Sequence, residues 1–246
     1  MKKLMIAATA AFCATVGFSL ESANVVGYTT TSLQSGFKAT GANFLSIGEE
    51  GCTLTSIKPA GFTTIAGQLN IQTLNNAGQT LKTYKYYKGG RKPYDVEGWY
   101  DGSTLITAEN DVVFAPGTGL WIAGADAYTL TTSGEVLTDK VECALNSGFR
   151  MLSNPYPVSI KLTQIQASGF TTIAGQLNIQ TLNNAGQTLK TYKYYKGGRK
   201  PYDVEGWYDG STLITAENDV TFPVGQGFWV AGADGYKLTF NFPTAE

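Results

Sequence analysis

Between residues 69 and 73 apolar and polar positions alternate: Leu69, Ile71 and Thr73 fall on one side of an extended chain, Asn70 and Gln72 on the other. A period of two is the signature of a half-buried strand. Asn75-Asn76-Ala77-Gly78 follows with residues that tolerate positive φ, and Thr80 to Lys88 reads as the returning strand. Gly89-Gly90 ends that strand, Asp101-Gly102 and Pro116-Gly117 mark further turns, and Leu120-Trp121-Ile122 is a short apolar strand. Helical periodicity is confined to short turns at Leu54–Lys58 and Leu162–Gln166. Strands of about 5–9 residues so punctuated, roughly seven to a unit, predict an all-β fold of antiparallel sandwich or barrel-like modules.

The same pattern returns further along the chain. Residues 61–112 and 169–220 are one identical 52-residue string at an offset of 108. Beyond it Phe114, Gly117, Gly119, Trp121 and Asp126 recur as Phe222, Gly225, Gly227, Trp229 and Asp234, while Ser35–Lys38 matches Ser147–Arg150. The chain is therefore read as two tandem modules related by internal duplication, 23–136 and 137–246. The junction near residues 133–141 is short and poor in proline, so the modules are expected to abut rather than swing. Any surface formed by the repeated block is present twice.

Met1-Lys2-Lys3 and the apolar, small-residue run from Leu4 to Leu20 have the form of a secretory signal peptide, assigned to residues 1–22. No other stretch approaches the ~18 apolar residues of a membrane-spanning helix. Export to the surface, periplasm or surroundings of a bacterium is the expectation. In that oxidising setting Cys52 and Cys143, both outside the repeated block, form a candidate disulfide between modules; two separate thiols is the equal alternative. The 18 basic and 19 acidic residues lose Lys2, Lys3 and Glu21 with the signal, leaving a net charge of about −2. That balance argues against nucleic acid as a partner. The chain contains no histidine, which excludes histidine triads and bases and most ordinary zinc or copper sites.

Several segments form a module-wide pattern: Gly148-Phe149 through Ser153-Asn154-Pro155, Ile179 through Thr188, Gly206-Trp207-Tyr208-Asp209, and Gly225 through Val230. With the Asn24–Tyr28 start, the chain resembles a β-rich repeat module of secreted bacterial proteins of unassigned function. The resemblance implies secretion and an all-β fold, and implies no activity. The first repeat departs from it at Thr40-Gly41-Ala42-Asn43-Phe44, so its opening strands are expected to differ.

The densest chemistry is Leu81–Lys88 and its copy Leu189–Lys196. Lys82, Tyr84, Tyr86 and Lys88 share one strand face; Leu81, Thr83, Lys85 and Tyr87 share the other. Tyr84, Tyr86 and Trp99, with Tyr192, Tyr194 and Trp207, are the candidate ligand-binding residues, since aromatic planes suit the C–H faces of sugar rings. Cross-strand pairing or core packing is the competing role for each. Trp121 and Trp229, within apolar strands, are expected in the core. Asp95, Glu97 and Asp101, with Asp203, Glu205 and Asp209, lack the full calcium-loop spacing and have lysines and arginines nearby, so no metal or other cofactor is assigned. Serines and threonines have no histidine to activate them, and catalysis is not expected. The sequence reading is an exported, non-enzymatic protein with a structural or adhesive role, partnered by a polysaccharide, a surface protein or itself. The alternative is a carbohydrate-binding protein with two identical aromatic sites.

Overall fold

The computed structural model describes residues 26–61, 69–125, 127–170, 177–183 and 185–243. The signal segment and residues 62–68 and 171–176 of the identical blocks lie outside them. The first module runs β1 (Val26–Ser32), β2 (Gly36–Gly41), β3 (Cys52–Thr53), β4 (Lys58–Ala60), β5 (Leu69–Leu74), β6 (Thr80–Tyr87), β7 (Gly98–Asp101), β8 (Thr104–Leu105), β9 (Val113–Phe114), β10 (Gly119–Gly124) and β11 (Thr129–Glu135). The second repeats the series as β12 (Val141–Ala144), β13 (Gly148–Ser153), β14 (Ile160–Lys161), β15 (Ile165–Ser168), β16 (Leu177–Leu182), β17 (Thr188–Tyr195), β18 (Gly206–Asp209), β19 (Thr212–Leu213), β20 (Thr221–Phe222), β21 (Gly227–Gly232) and β22 (Lys237–Phe240). Single 3-10 turns stand at Leu54–Ser56 and Leu162–Gln164, inside the two segments where the sequence left room for a turn.

Each module is a sandwich of a six-stranded sheet, ordered β2-β10-β5-β6-β7-β8 or β13-β21-β16-β17-β18-β19, over a three-stranded one, β1-β11-β4 or β12-β22-β15. The pairing is antiparallel throughout, and β3-β9 and β14-β20 add two small ladders. Alternation selects the core. In the first module Leu69, Ile71, Tyr84, Tyr86, Trp99, Leu120 and Ile122 project from the large sheet onto Leu54, Ile57, Tyr128 and Leu130. The second module packs Leu177, Ile179, Tyr192, Tyr194, Trp207, Phe228 and Val230 in the same way. Of the opening strands, β1 and β12 differ, with seven and four residues and unlike burial, whereas β2 and β13 have equal length and the same burial pattern. A further difference falls just after β2 and β13, where the Asn154 amide donates to the carbonyls of Val158 (2.7 Å) and Pro223 (3.2 Å), and Ala42 occupies the equivalent place.

Trp121 and Trp229 are not core residues. Their neighbours Leu120, Ile122, Phe228 and Val230 take the inward positions, so both tryptophans face out of the sandwich and are half-buried. What covers them is the other module. A Cβ on Gly78, in the β5–β6 turn, would come within 3.6 Å of the Trp229 ring, and one on Gly186, in the β16–β17 turn, within 2.8 Å of Trp121. The Phe149 amide donates to the Asn76 carbonyl of that first turn at 2.7 Å. Backbone bridges Thr40↔Gln226 and Thr118↔Leu152 are images of each other under the repeat, and glycines 119 and 227 lie close against Met151 and Ala39 in the opposite module. Reciprocal contacts of this kind are those of an isologous, two-fold interface, here built within one chain.

Cys52 and Cys143 are free thiols, in place of the cross-module bond left open by the sequence. Each belongs to the core cluster of its own module, and the Cys143 sulfur also borders the first module, 3.1 Å from where a Cβ on Gly117 would stand. Cys52 lies against the Ser56 hydroxyl at 3.3 Å, and Cys143 sits on β12 opposite Leu238. Burial raises both thiol pKa values, that of Cys143 to about 11.

Candidate functional site

The strip of Tyr84 and Tyr86 faces inward. Tyr84 pairs across the ladder with Ile71, and Tyr86 stands between Leu69 and Trp99, so the shared face is the core wall. Tyr84, Tyr86 and Trp99 retain only 6, 8 and 2 % of their surface, and Tyr192, Tyr194 and Trp207 retain 6, 8 and 3 %. The rings are taken up by each other: Tyr86 meets Trp99 edge-on at 5.2 Å and Tyr84 meets Phe114 at 6.3 Å. The Trp99 indole donates to the Ile57 carbonyl at 2.9 Å, as Trp207 does to Ile165 at 2.6 Å. No open ring face remains at these six positions for a sugar. The hydroxyl ends of Tyr86 and Tyr194 reach the rim, where they donate to Glu97 at 3.1 Å and to Glu205 at 3.2 Å; burial first, and then the carboxylate, push both pKa values up to about 12.

The flanking charges are occupied. Lys88 reaches Glu97 at 3.2 Å and Lys196 reaches Glu205 at 3.0 Å, while Lys82 pairs with Asp101 and Lys190 with Asp209. Of the six carboxylates weighed above as calcium ligands, Glu97, Asp101, Glu205 and Asp209 are engaged in these pairs.

A different aromatic group is assembled on the outer face. Tyr87 at the end of β6 stacks on Tyr94 with ring centroids 3.6 Å apart and planes 3° from parallel. Tyr100 meets Tyr87 and Tyr94 edge-on, at 5.5 and 5.0 Å. The second module repeats the group with Tyr195, Tyr202 and Tyr208, the stacked pair 3.7 Å apart. Burial, and next a hydrogen bond with the Tyr94 hydroxyl, raise the pKa of Tyr87. The loop between β6 and β7 is closed on itself: Gly90 N–H donates to Asp95 O at 2.9 Å, Tyr94 N–H to Arg91 O at 2.7 Å, and the Tyr100 hydroxyl to Val96 O at 2.7 Å. Gly89 has a φ of 81° and lies so close to the far limb of the loop that a Cβ would be 2.9 Å from Asp95 O. Tyr87, Arg91, Lys92, Pro93 and Tyr94 line an open hollow of about 320 Å³, with Arg91 and Lys92 exposed and in no ion pair among the described residues.

Sequence reasoning named Tyr87 only as a member of the second strand face and did not single out Tyr94 or Tyr100. The available signal was the spacing: Tyr100 falls opposite Trp99 in alternation and so must leave the core when Trp99 enters it.

A larger hollow of about 370 Å³ lies between the modules, walled by Thr30, Thr31, Ser32 and Lys38 on one side and by Asn183 and Pro223–Gly227 on the other. Lys38 donates to the Ser32 carbonyl at 3.1 Å and its pKa is lowered by burial. In the second module Arg150 takes the equivalent place, donating to the Ala144 carbonyl, which marks this contact as part of the repeated framework. No helix among the described residues is long and apolar enough to cross a membrane. No protein-family model matches the chain, and no curated protein matches it significantly.

Proposed function

We propose that this chain is an exported, non-enzymatic β-repeat protein with an adhesive role at a bacterial cell surface, holding its target through two identical tips. The observation that carries the reading is the pairing of Tyr87, Tyr94 and Tyr100 beside Arg91 and Lys92 with the same five residue types, Tyr195, Tyr202, Tyr208, Arg199 and Lys200. Each set ends a strand whose other end is anchored on the opposite module. β6 and β17 have eight residues, so each tip stands about 25 Å from the inter-module contact. A stiff body with two like tips suits attachment, because the second contact then forms at high effective concentration.

The test is co-sedimentation of the mature chain with washed bacterial envelope fragments, beside a variant carrying R91Q, K92Q, R199Q and K200Q. The wild type is expected in the pellet and the folded variant in the supernatant. Equal sedimentation of both would overturn the role of the tips.

A further inference from the structure

We propose that each tip is a binding site for an acidic polysaccharide bearing uronate carboxylates, an inference that rests on the adhesive reading above. Two features of the hollow set the chemistry. Its walls are the rings of Tyr87 and Tyr94, and aromatic planes accept the C–H faces of pyranose rings. Its rim carries Arg91 and Lys92, and a guanidinium fork matches a carboxylate with two parallel hydrogen bonds. Lys82 on β6 and Lys88 just after it are tied to Asp101 and Glu97, which leaves Arg91 and Lys92 at the rim of the hollow, with Lys85 further back on the same face as Tyr87, as the cations in no ion pair among the described residues.

A neutral glycan would use the rings and leave the cations idle. A polyanion without sugar rings, such as polyphosphate, would use the cations and leave the rings idle. A uronate engages both. Nucleic acid is disfavoured because a chain with a net charge of about −2 lacks the field that draws a dense polyphosphate. The hollow, about 320 Å³, falls at the small end of the range of roughly 300–1,000 Å³ for ligand pockets, which suits a short stretch of an extended polymer rather than an enclosed small molecule.

The site is also preorganised. The bonds Gly90 to Asp95 and Tyr94 to Arg91 recur in the second module as Gly198 to Asp203 (2.9 Å) and Tyr202 to Arg199 (2.7 Å). The Tyr208 hydroxyl holds Val204 O at 2.7 Å as Tyr100 holds Val96. A loop already fixed in this way loses little freedom when a ligand arrives.

The experiment is calorimetric titration of the full mature chain with oligogalacturonate, neutral dextran oligomer and short-chain polyphosphate, each also against the R91Q/K92Q/R199Q/K200Q variant. K58Q/K237Q, two exposed lysines on the small sheets, is the control for loss of charge. Oligogalacturonate is expected to bind at two equivalents per chain, to weaken by about 10²-fold in the tip variant, and to be unchanged in the control. Polyphosphate binding as tightly as uronate would overturn the sugar requirement, and dextran binding as tightly would overturn the role of the cations. If none of the three binds while envelope attachment still depends on the tips, the ligand class is wrong and the adhesive reading stands. If envelope attachment is also independent of the tips, both fall.

Discussion

A tyrosine can place its ring in one environment and its hydroxyl in another, and this chain uses that property on both faces of one strand. Tyr84 and Tyr86 fill the core while Tyr87, one residue on, joins the outer stack. Period-two reasoning identified which side chains share a face of β6, but tyrosines occur on both faces, so the pattern alone did not decide which face is covered. The partners decide it: Ile71, Leu69 and Trp99 lie opposite the even-numbered tyrosines. Trp99→Phe should therefore lower stability by about 1–3 kcal/mol, since the Ile57 carbonyl loses its buried donor, and the same follows for Trp207→Phe and Ile165. Urea denaturation measures it, and an unchanged midpoint would place these indoles outside the core. The buried acids also fix a pH dependence. Cys143 has its pKa raised from 9.0 to about 11, and Tyr86, Tyr156 and Tyr194 from 10.0 to about 12. A raised pKa on a group that is neutral when protonated means the fold holds the proton more tightly than the unfolded chain. The resulting stability is complete below pH 9 and is lost as the pH climbs, first through the thiol window and then through that of the phenols. Melting temperature should thus fall progressively above about pH 9; a constant value to pH 11 would contradict the burial of these groups.

At the scale of elements the hairpin turns matter most. Asn75 closes the β5–β6 turn by accepting from the amides of Ala77 (3.0 Å) and Gln79 (2.9 Å), and Asn183 does the same for Ala185 and Gln187, both at 2.9 Å. These turns, the long strands around them and the short 3-10 turns were legible because they rest on local residue types. The two-residue strands β3, β8, β9, β14, β19 and β20 were not, because so short a segment carries no periodicity and exists only through its ladder partner. Nor was the second task of each turn, to lie on the opposite module's tryptophan. Gly78 and Gly186 have nearly the same positive φ, 74° and 75°, so alanine strains both backbones alike. Only at position 186 would the added carbon press to 2.8 Å on a tryptophan ring, one already backed by Phe37 at 5.4 Å. Gly186→Ala is expected to destabilise by about 1–3 kcal/mol more than Gly78→Ala. Equal effects in thermal or urea unfolding would show that the turns do not bear on the neighbouring module.

For the molecule as a whole, the duplication could be read directly from the sequence, whereas the mutual arrangement of the modules could not. The outer faces of β2, β10, β13 and β21, and the residues that lead into β10 and β21, are small and mixed, such as Ala39, Thr118, Gly119, Gln226 and Gly227, and look like ordinary solvent-facing positions until a second sheet is laid on them. The candidate site was legible only in its raw materials, a repeated tyrosine-rich strand with basic flanks. Its location required knowing that Trp99 enters the core and so sends Tyr100 to the other face of the sheet, where it is buried against Tyr87 and Tyr94. Joined through a pseudo-two-fold contact, the modules hold two copies of one tip in fixed relation, and the proposed attachment depends on those tips acting together. The measurement that tests this most directly is the dissociation rate of the chain from a dense layer of bacterial envelope polymer, for the wild type and for R91Q/K92Q, in which one tip is silenced and the other intact. Cooperation between tips predicts dissociation faster by about 10²–10⁴-fold in the one-tip variant. Identical rates would show that a single tip, or neither, does the holding.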